Sequence, residues 1–241
     1  MAVARPRGGP YACCTMWQTI FSIVAALGLS ALLARQFLDA LARQKAEPIG
    51  LFGEILPLLA NARLDDPRTA GVHRLIGDYQ GLPVQVQTVV DTLAVRKLPS
   101  LWLMVTIPVP LPVTAIFDLM MRPSGPTSFS NFDHLPETVE RPADFPEHAV
   151  IRTDDSTHMV PAHVVRPHLA PFFDTRAKEL LISPKGIRMV VQIGEGDRAR
   201  YGVFRQASFA GARVEAETLR DVLDRLIAIR QDIETWHRTT S

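Results

Sequence analysis

Three histidines and two aspartates form the stretch of the sequence best suited to chemistry. His158, His163 and His168 recur every five positions, and Asp154 and Asp155 precede them. Imidazole and carboxylate groups bind zinc and also act as general acids and bases. A spacing of five turns successive side chains by about 140° on a helix and places them on opposite faces of a strand. Two interpretations follow: surface histidines in a polar loop, or an enzyme site built on Asp154, Asp155, His158 and His163.

The other chemical motifs in the sequence are weak. Ser156 and Ser183 do not lie in the G-x-S-x-G turn that exposes a hydrolase nucleophile. The segments GEGDR and RPSGP lack the lysine and the spacing of a phosphate-binding loop. The formal net charge of the chain is +1. We therefore expect no cofactor, no metal and no nucleic-acid partner.

Basic residues gather near the end of the predicted sheet. Strands are predicted at 187–193 and 198–205, with GEGD at 194–197 as the loop between them. Arg188, Arg198 and Arg200 are candidate binding residues for anionic headgroups or an acidic partner. The other interpretation is a solvated face of the sheet.

An uncharged N-terminal segment predicts a membrane anchor. The core of this segment, residues 16–34, has nineteen residues. As a helix it would be about 28 Å long, which is close to the roughly 30 Å of a bilayer's hydrocarbon core. The sequence therefore predicts a single-pass protein of the cell membrane. A disordered tail at 1–15 would precede the span, and a helical extension would continue to residue 47.

Several features of this segment leave alternatives open. Ala40 and Ala42 resemble a signal-peptide cleavage site, although Arg35 and Asp39 intervene. Met16 is an alternative start of the chain. The positive charges on the two sides of the span nearly balance, so the sequence does not orient it. Besides lipid, another membrane protein is a candidate partner, because small residues spaced three apart let a second helix approach.

A second apolar run, residues 98–117, is equally long and uncharged. Pro108, Pro110 and Pro112 fall inside it, and each interior proline costs a helix about 3 kcal/mol. Extended backbone with unpaired amides is not tolerated in lipid. The run is therefore predicted to be a buried strand at about 101–107, followed by an extended connector.

The remaining patterns predict an α+β domain over residues 50–241, with a mainly antiparallel sheet. A hairpin is expected at 72–90 with Gln80 and Gly81 in its turn. Further strands are expected at 115–121, 148–152 and 178–182, a helix at 50–64, short helical turns at 161–173, and an irregular proline-rich insertion at about 122–146. Apolar residues at helical spacing predict a long amphipathic C-terminal helix at 216–237.

A full-sized domain behind an anchor, with no strong chemical motif, favours a non-catalytic binding or assembly module. The alternative is a membrane-anchored hydrolase or metal-dependent enzyme that uses the aspartate and histidine stretch. Convergence of those four side chains in one pocket would favour the enzyme.

Overall fold

The computed structural model describes residues 23–24, 27–36, 51–65, 74–91, 100–123, 127, 129–174, 176–195, 209 and 212–240. The chain divides into two compact units, Met1–Ile49 and Gly50–Ser241.

The N-terminal unit contains a helix, here α1, whose described residues are 23–24 and 27–36. Its large apolar side chains are exposed: Ile23, Val24, Leu27, Leu29, Leu32 and Leu33. The predicted span at 16–34 lies partly outside the described residues. Within the described ranges, no helix has both the length and the apolar character needed to cross a membrane.

The described residues of the C-terminal unit form an antiparallel sheet of nine strands in the order β1-β2-β3-β4-β9-β8-β5-β7-β6. The strands are β1 (Ala60–Asp65), β2 (Arg74–Tyr79), β3 (Leu82–Asp91), β4 (Ser100–Ile107), β5 (Phe117–Met121), β6 (Glu137–Val139), β7 (Ala149–Thr153), β8 (Ala177–Ser183) and β9 (Gly186–Glu195). The predicted α+β domain with an antiparallel sheet and a C-terminal helix is confirmed.

A tight turn explains the hairpin formed by β2 and β3, and a run of prolines explains where β4 ends. Gln80 and Gly81 both have positive φ, 50° and 80°, which is the geometry of a tight two-residue hairpin turn between β2 and β3. Strand β4 ends at Ile107, where the prolines begin, and it pairs with β3 on one side and β9 on the other. The uncharged run at 98–117 therefore contributes a central strand of the sheet.

In the described part of this unit, three α-helices have both of their ends defined. Helices α2 (Ala162–Val165) and α3 (Ala170–Phe173) are short, and the 3-10 turn Arg166–His168 lies between them. Helix α4 (Ala216–Thr240) has 25 residues and buries one apolar stripe. The stripe consists of Leu219, Val222, Leu223, Leu226, Ile227, Ile229 and Ile233. Because side chains three and four positions apart share a helix face, this sequence packs α4 on the sheet.

The sheet has two faces with different covers. Along a strand, alternate side chains point to opposite faces. Leu103, Val105 and Met189 belong to the main core, which also contains the stripe of α4. We call this side the helix face. The opposite side, here the second face, carries a smaller cluster that contains Trp102, Met120 and Val190.

The second face is covered by part of the proline-rich segment. Phe129 and Phe132 of this segment are buried in the smaller cluster, and the Phe129 ring lies 6.3 Å from that of Trp102. The guanidinium of Arg152 lies 5.5 Å from the Phe132 ring and donates a 2.9 Å hydrogen bond to the carbonyl of Asp133. Residues 129–135, here the cover segment, are thereby fastened to the sheet.

The prediction of a helix at 50–64 is wrong. Among the described residues 51–64, α-helix is confined to 51–52, a 3-10 turn follows at Leu56–Leu58, and β1 begins at Ala60. Pro57 falls in the first positions of the 3-10 turn, where it removes the donor that a continuing helix would need. Asn61 has φ 52°, which a helix does not accommodate. The strand predicted at 198–205 and half of its loop, residues 196–197, lie outside the described residues.

Candidate functional site

The predicted Asp–His stretch contains one close pair. His158 Nδ1 lies 2.7 Å from Asp155 Oδ2, and both side chains are exposed. The Thr157 hydroxyl hydrogen-bonds Asp155 and also lies 3.1 Å from the same ring nitrogen of His158. These hydrogen bonds, with the Thr157 hydroxyl foremost, lower the pKa of Asp155 to about 2. In a hydrolase triad the carboxylate and the nucleophile bind different ring nitrogens. Here they share one, so the geometry is that of a capped turn.

The other residues of the stretch have separate contacts. Asp154 Oδ1 accepts a 2.6 Å hydrogen bond from the amide of Ile116, and His163 is exposed on α2. His168 is buried, and its Nε2 lies 2.8 Å from Asp232 Oδ2 on α4. In the part of the chain that the structure describes, no group of three or more His, Cys, Asp or Glu side chains is arranged to hold a metal ion.

Of the predicted basic residues, the structure describes Arg188, while Arg198 and Arg200 lie outside the described ranges. Arg188 is on the second face of β9. The Nη2 atom of Arg188 lies 2.9 Å from Oε2 of Glu179, and its Nε atom lies 3.1 Å from the same oxygen. Its side chain is 18% exposed and that of Glu179 is 0% exposed. Binding of an anionic surface by Arg188 remains a prediction, and this arginine already has a buried carboxylate partner.

A second buried carboxyl lies beside this ion pair. In the sheet register Leu181 of β8 is opposite both Arg188 of β9 and Asp118 of β5. Asp118 and Glu179 lie diagonally across neighbouring strands, on the same face, because Glu179 is opposite Met120. Asp118 is 1% exposed. Three ionisable side chains are therefore collected inside one patch of the second face.

Burial decides the protonation of this cluster. Desolvation, with the negative charge of Glu179 as the next cause, raises the pKa of Asp118 to about 8. Desolvation also raises the pKa of Glu179, and the charge of Arg188 opposes that rise. Two carboxyls so close together cannot both ionise cheaply. At neutral pH, we assign the shared proton to Asp118 and the negative charge to Glu179, which has the guanidinium.

The cluster contains polar atoms that lack partners. Among the described side chains, Asp118 Oδ1, Glu179 Oε1 and Trp102 Nε1 are buried without a hydrogen bond, and all three belong to second-face residues. An unsatisfied buried polar atom costs about 1–3 kcal/mol. Each such atom in a native protein calls for an explanation, such as backbone strain, a catalytic role, or a bound water or ion.

A cavity of about 520 Å³ opens beside Asp118. Sheet residues, the cover segment and the β8–β9 turn all contribute to its wall. The described lining residues are Ile116, Asp118, Thr127, Phe129, Ser130, Asn131, Leu135, Asp154, Leu181, Ser183, Pro184, Lys185 and Arg188. The size is that of a small-molecule site, and the mixture of apolar walls with a few polar groups is also typical of one.

Ser130 links the cover segment to the carboxyl pair. Hydrogen bonding with its hydroxyl opposes the rise in pKa of both Asp118 and Glu179. Its oxygen also accepts a 3.1 Å hydrogen bond from the amide of Phe132. Ser130 also lines the cavity, so the same residue of the cover segment belongs to the cavity wall and lowers the pKa of both buried carboxyls.

A second cavity, of about 620 Å³, lies between the end of β9 and the start of α4. Its wall mixes both signs of charge, with Arg176, Arg213 and Arg225 alongside Glu195, Glu215 and Asp221. None of its described lining residues carries a buried polar atom without a partner. We therefore take the Asp118 cavity as the candidate site.

Two charged residues in apolar strands are a sequence signal for this site that belongs to no recognised motif. Asp118 is the one charged residue in AIFDLMM, and Glu179 follows Lys178 at the start of the apolar run ELLI. A charged residue inside an apolar strand is rarely buried without a partner. Their meeting depends on strand register, which no local pattern specifies.

Comparisons with known proteins do not assign a family. No protein-family model matches the chain, and a search of curated proteins finds no match. Among solved structures, the mycobacterial trehalose monomycolate transport factor A, TtfA, matches 70% of this chain and 76% of its own, with 9% identity and a TM-score of 0.34. A likeness at this level carries no argument about fold or function.

Proposed function

We propose that this chain is a membrane-anchored binding module without catalysis. The observation that carries the proposal is the cavity beside Asp118. Apolar side chains such as Phe129 and Leu181 supply contact area, while a few polar groups fix orientation. The rigid sheet holds one wall, and the cover segment completes the other.

The support for a membrane anchor comes from the N-terminal unit. Residues 16–34 supply eight Leu, Ile, Phe and Val side chains, which together favour insertion by about 4 kcal/mol. The described part of α1 exposes leucines at 27, 29, 32 and 33. Contiguous exposed apolar side chains mark a surface that contacts lipid or another protein. A bilayer is the partner that best fits the length of the segment.

Carbonate extraction of membranes that contain the full chain tests the anchor. We expect the wild-type chain to stay with the membrane. The double variant Leu29→Arg/Leu32→Arg adds about 5–7 kcal/mol against insertion and should be released. Phe173→Arg, which charges an apolar side chain that is 61% exposed in the other unit, is the matched control and should stay. Release of the wild-type chain would contradict the anchor.

The binding role is tested with benzyl alcohol, a ring that carries one hydroxyl, titrated into the full chain in amphipol. We expect saturable binding in calorimetry. Leu181→Trp fills the cavity and should abolish binding, while Leu64→Trp on the half-exposed edge of β1 should not change it. Equal binding by wild type and Leu181→Trp would contradict a role for the cavity.

The hydrolase or metal-enzyme alternative receives less support. Asp154, Asp155, His158 and His163 have separate contacts, and the closest pair is an exposed turn. The cavity, in contrast, combines enclosure with unsatisfied polar atoms. We therefore place the function at Asp118.

A further inference from the structure

One carboxyl group in the wall of the cavity has an oxygen without a hydrogen-bond partner among the described residues. Asp118 lines the cavity, is 1% exposed, and has an oxygen, Oδ1, without a hydrogen-bond partner among the described groups. The backbone positions it firmly, because Asp118 is in the middle of β5, between β7 and β8. This oxygen is buried beside the cavity, and the described residues leave its hydrogen bond unfilled.

The charged groups around Asp118 have other partners. Glu179 and Arg188 neutralise each other, and Arg152, opposite Asp118 on β7, turns its guanidinium to Phe132 and Asp133. The remaining charged groups nearby are Lys178 on β8, whose ammonium donates to the carbonyls of Met121 and Arg122, together with Asp154 and Lys185 in the lining. No described cation forms an ion pair with Asp118 itself. The charge of Arg188 lowers the pKa of Asp118, but its guanidinium forms its ion pair with Glu179.

We propose that the cavity binds a small organic cation, whose ammonium or guanidinium group donates a hydrogen bond to the free oxygen of Asp118. The inference rests on the binding role proposed above and assigns its ligand class. An organic cation fits better than a bare ion, because the cavity holds about 520 Å³ and Phe129, Leu135 and Leu181 can contact an apolar body.

Binding exchanges one positive charge for another. The cation enters with its own protons, and the carboxyl proton of Asp118 leaves to solvent. No covalent bond forms or breaks apart from that O–H bond. The charge of the cluster therefore stays constant, which avoids burial of an uncompensated carboxylate.

The exchange predicts a pH dependence with a definite sign. Burial raises the pKa of Asp118 to about 8, so a proton occupies the carboxyl below that pH. Competition with this proton makes the apparent affinity rise about tenfold per pH unit up to pH 8 and level off above it. Binding at pH 7 should release close to one proton.

Calorimetric titration of the full chain with benzylamine, at pH 6, 7 and 8 and in two buffers of different ionisation enthalpy, tests the inference. We expect about a fiftyfold gain in affinity from pH 6 to pH 8, because half of the Asp118 carboxyls still hold the proton at pH 8. Asp118→Asn mimics the protonated acid and should remove both the gain and the proton release. Asp154→Asn changes another carboxylate of the same wall, can still accept from Ile116, and should keep the slope.

The two titrations distinguish failure of the cation site from failure of the proposed binding role. If benzyl alcohol binds but benzylamine shows no gain with pH, the cation site is wrong and the binding role stands. Equal benzylamine slopes in wild type and Asp118→Asn would also overturn the cation site. If neither compound binds saturably, both proposals fail. The anchor is measured separately by carbonate extraction.

Discussion

Arg188 of β9 contacts Glu179 of β8 through a 2.9 Å ion pair whose acidic partner has no exposed side-chain surface. The two residues are diagonal neighbours on the second face of the sheet. Because the guanidinium neutralises Glu179, the proton of the carboxyl pair can be held by Asp118 at the wall of the cavity. The ion pair therefore sets the charge of the candidate site.

Removal of the cation should be costly. Arg188→Met leaves Glu179 buried and uncompensated, and we expect a loss of about 3–5 kcal/mol in the free energy of unfolding at pH 7. The loss should shrink at lower pH, because Glu179 then takes up a proton. The double variant Glu179→Gln/Arg188→Met should recover most of it. Urea unfolding provides the measurement.

An exposed ion pair provides the control for this variant. The Nε atom of Arg166 lies 2.6 Å from Oδ2 of Asp144, and both side chains are about half exposed. Arg166→Met should cost no more than about 1 kcal/mol. Similar losses for Arg166→Met and Arg188→Met would show that the buried pair has no special role.

Stability should fall as pH rises through the neutral range. The native state keeps a proton on Asp118 up to a pKa of about 8, whereas the ordinary value is 3.8. The unfolded chain therefore releases this proton first, and the contribution to folding is full below pH 3.8 and is lost by about pH 8. Asp118→Asn should flatten the slope between pH 5 and pH 8, as measured by urea unfolding. An unchanged slope would contradict the assignment of the proton.

The β8–β9 turn requires glycine at its end. Gly186 has φ 143°, and a Cβ there would collide with the carbonyl oxygen of Ile107. Gly186→Ala should lower the melting temperature, at a cost of at least about 1–3 kcal/mol from the backbone conformation alone. Gly81→Ala is the matched comparison, since its φ is also positive, at 80°, but its Cβ would meet open space. The alanine at 186 should be clearly the more harmful of the two.

Helix α4 should contribute to stability through its buried stripe. Leu226 has no exposed surface and belongs to the main core. Leu226→Ala should destabilise the domain by about 2–5 kcal/mol in urea unfolding. Gln231→Ala, on the exposed side of the same helix, should change stability by less than about 0.5 kcal/mol. A mild effect of Leu226→Ala would mean that the helix is only loosely packed on the sheet.

Local backbone chemistry made much of the fold predictable. Prolines at 108, 110 and 112 excluded a helix in the uncharged run, and the predicted strand at 101–107 appears as β4. The turn at Gln80 and Gly81 was predictable because glycine adopts positive φ without steric cost. Both features are determined by residues that are adjacent in the sequence, so the sequence alone was enough to predict them.

The failures involve non-local contacts. Leu51, Phe52 and Ile55 have helical spacing, yet the chain leaves the helix and forms β1, since an edge position beside β2 was available. Asp118 and Glu179 were likewise hidden in strands that the sequence identified correctly. Their pairing depends on the register between β5 and β8, so the sequence candidates that line this cavity are Arg188 and Asp154, while Asp118 itself was missed.

The most direct test is infrared difference spectroscopy of the full chain between pH 6 and pH 9. If Asp118 holds the proton of the buried pair, the carbonyl stretch of a protonated carboxylic acid disappears with a midpoint near pH 8. Asp118→Asn should lack this signal, while Asp154→Asn should retain it. If wild type shows no protonated carboxyl at pH 6, or if the signal survives in Asp118→Asn, the proton is not held by Asp118 and the account of the cavity is wrong.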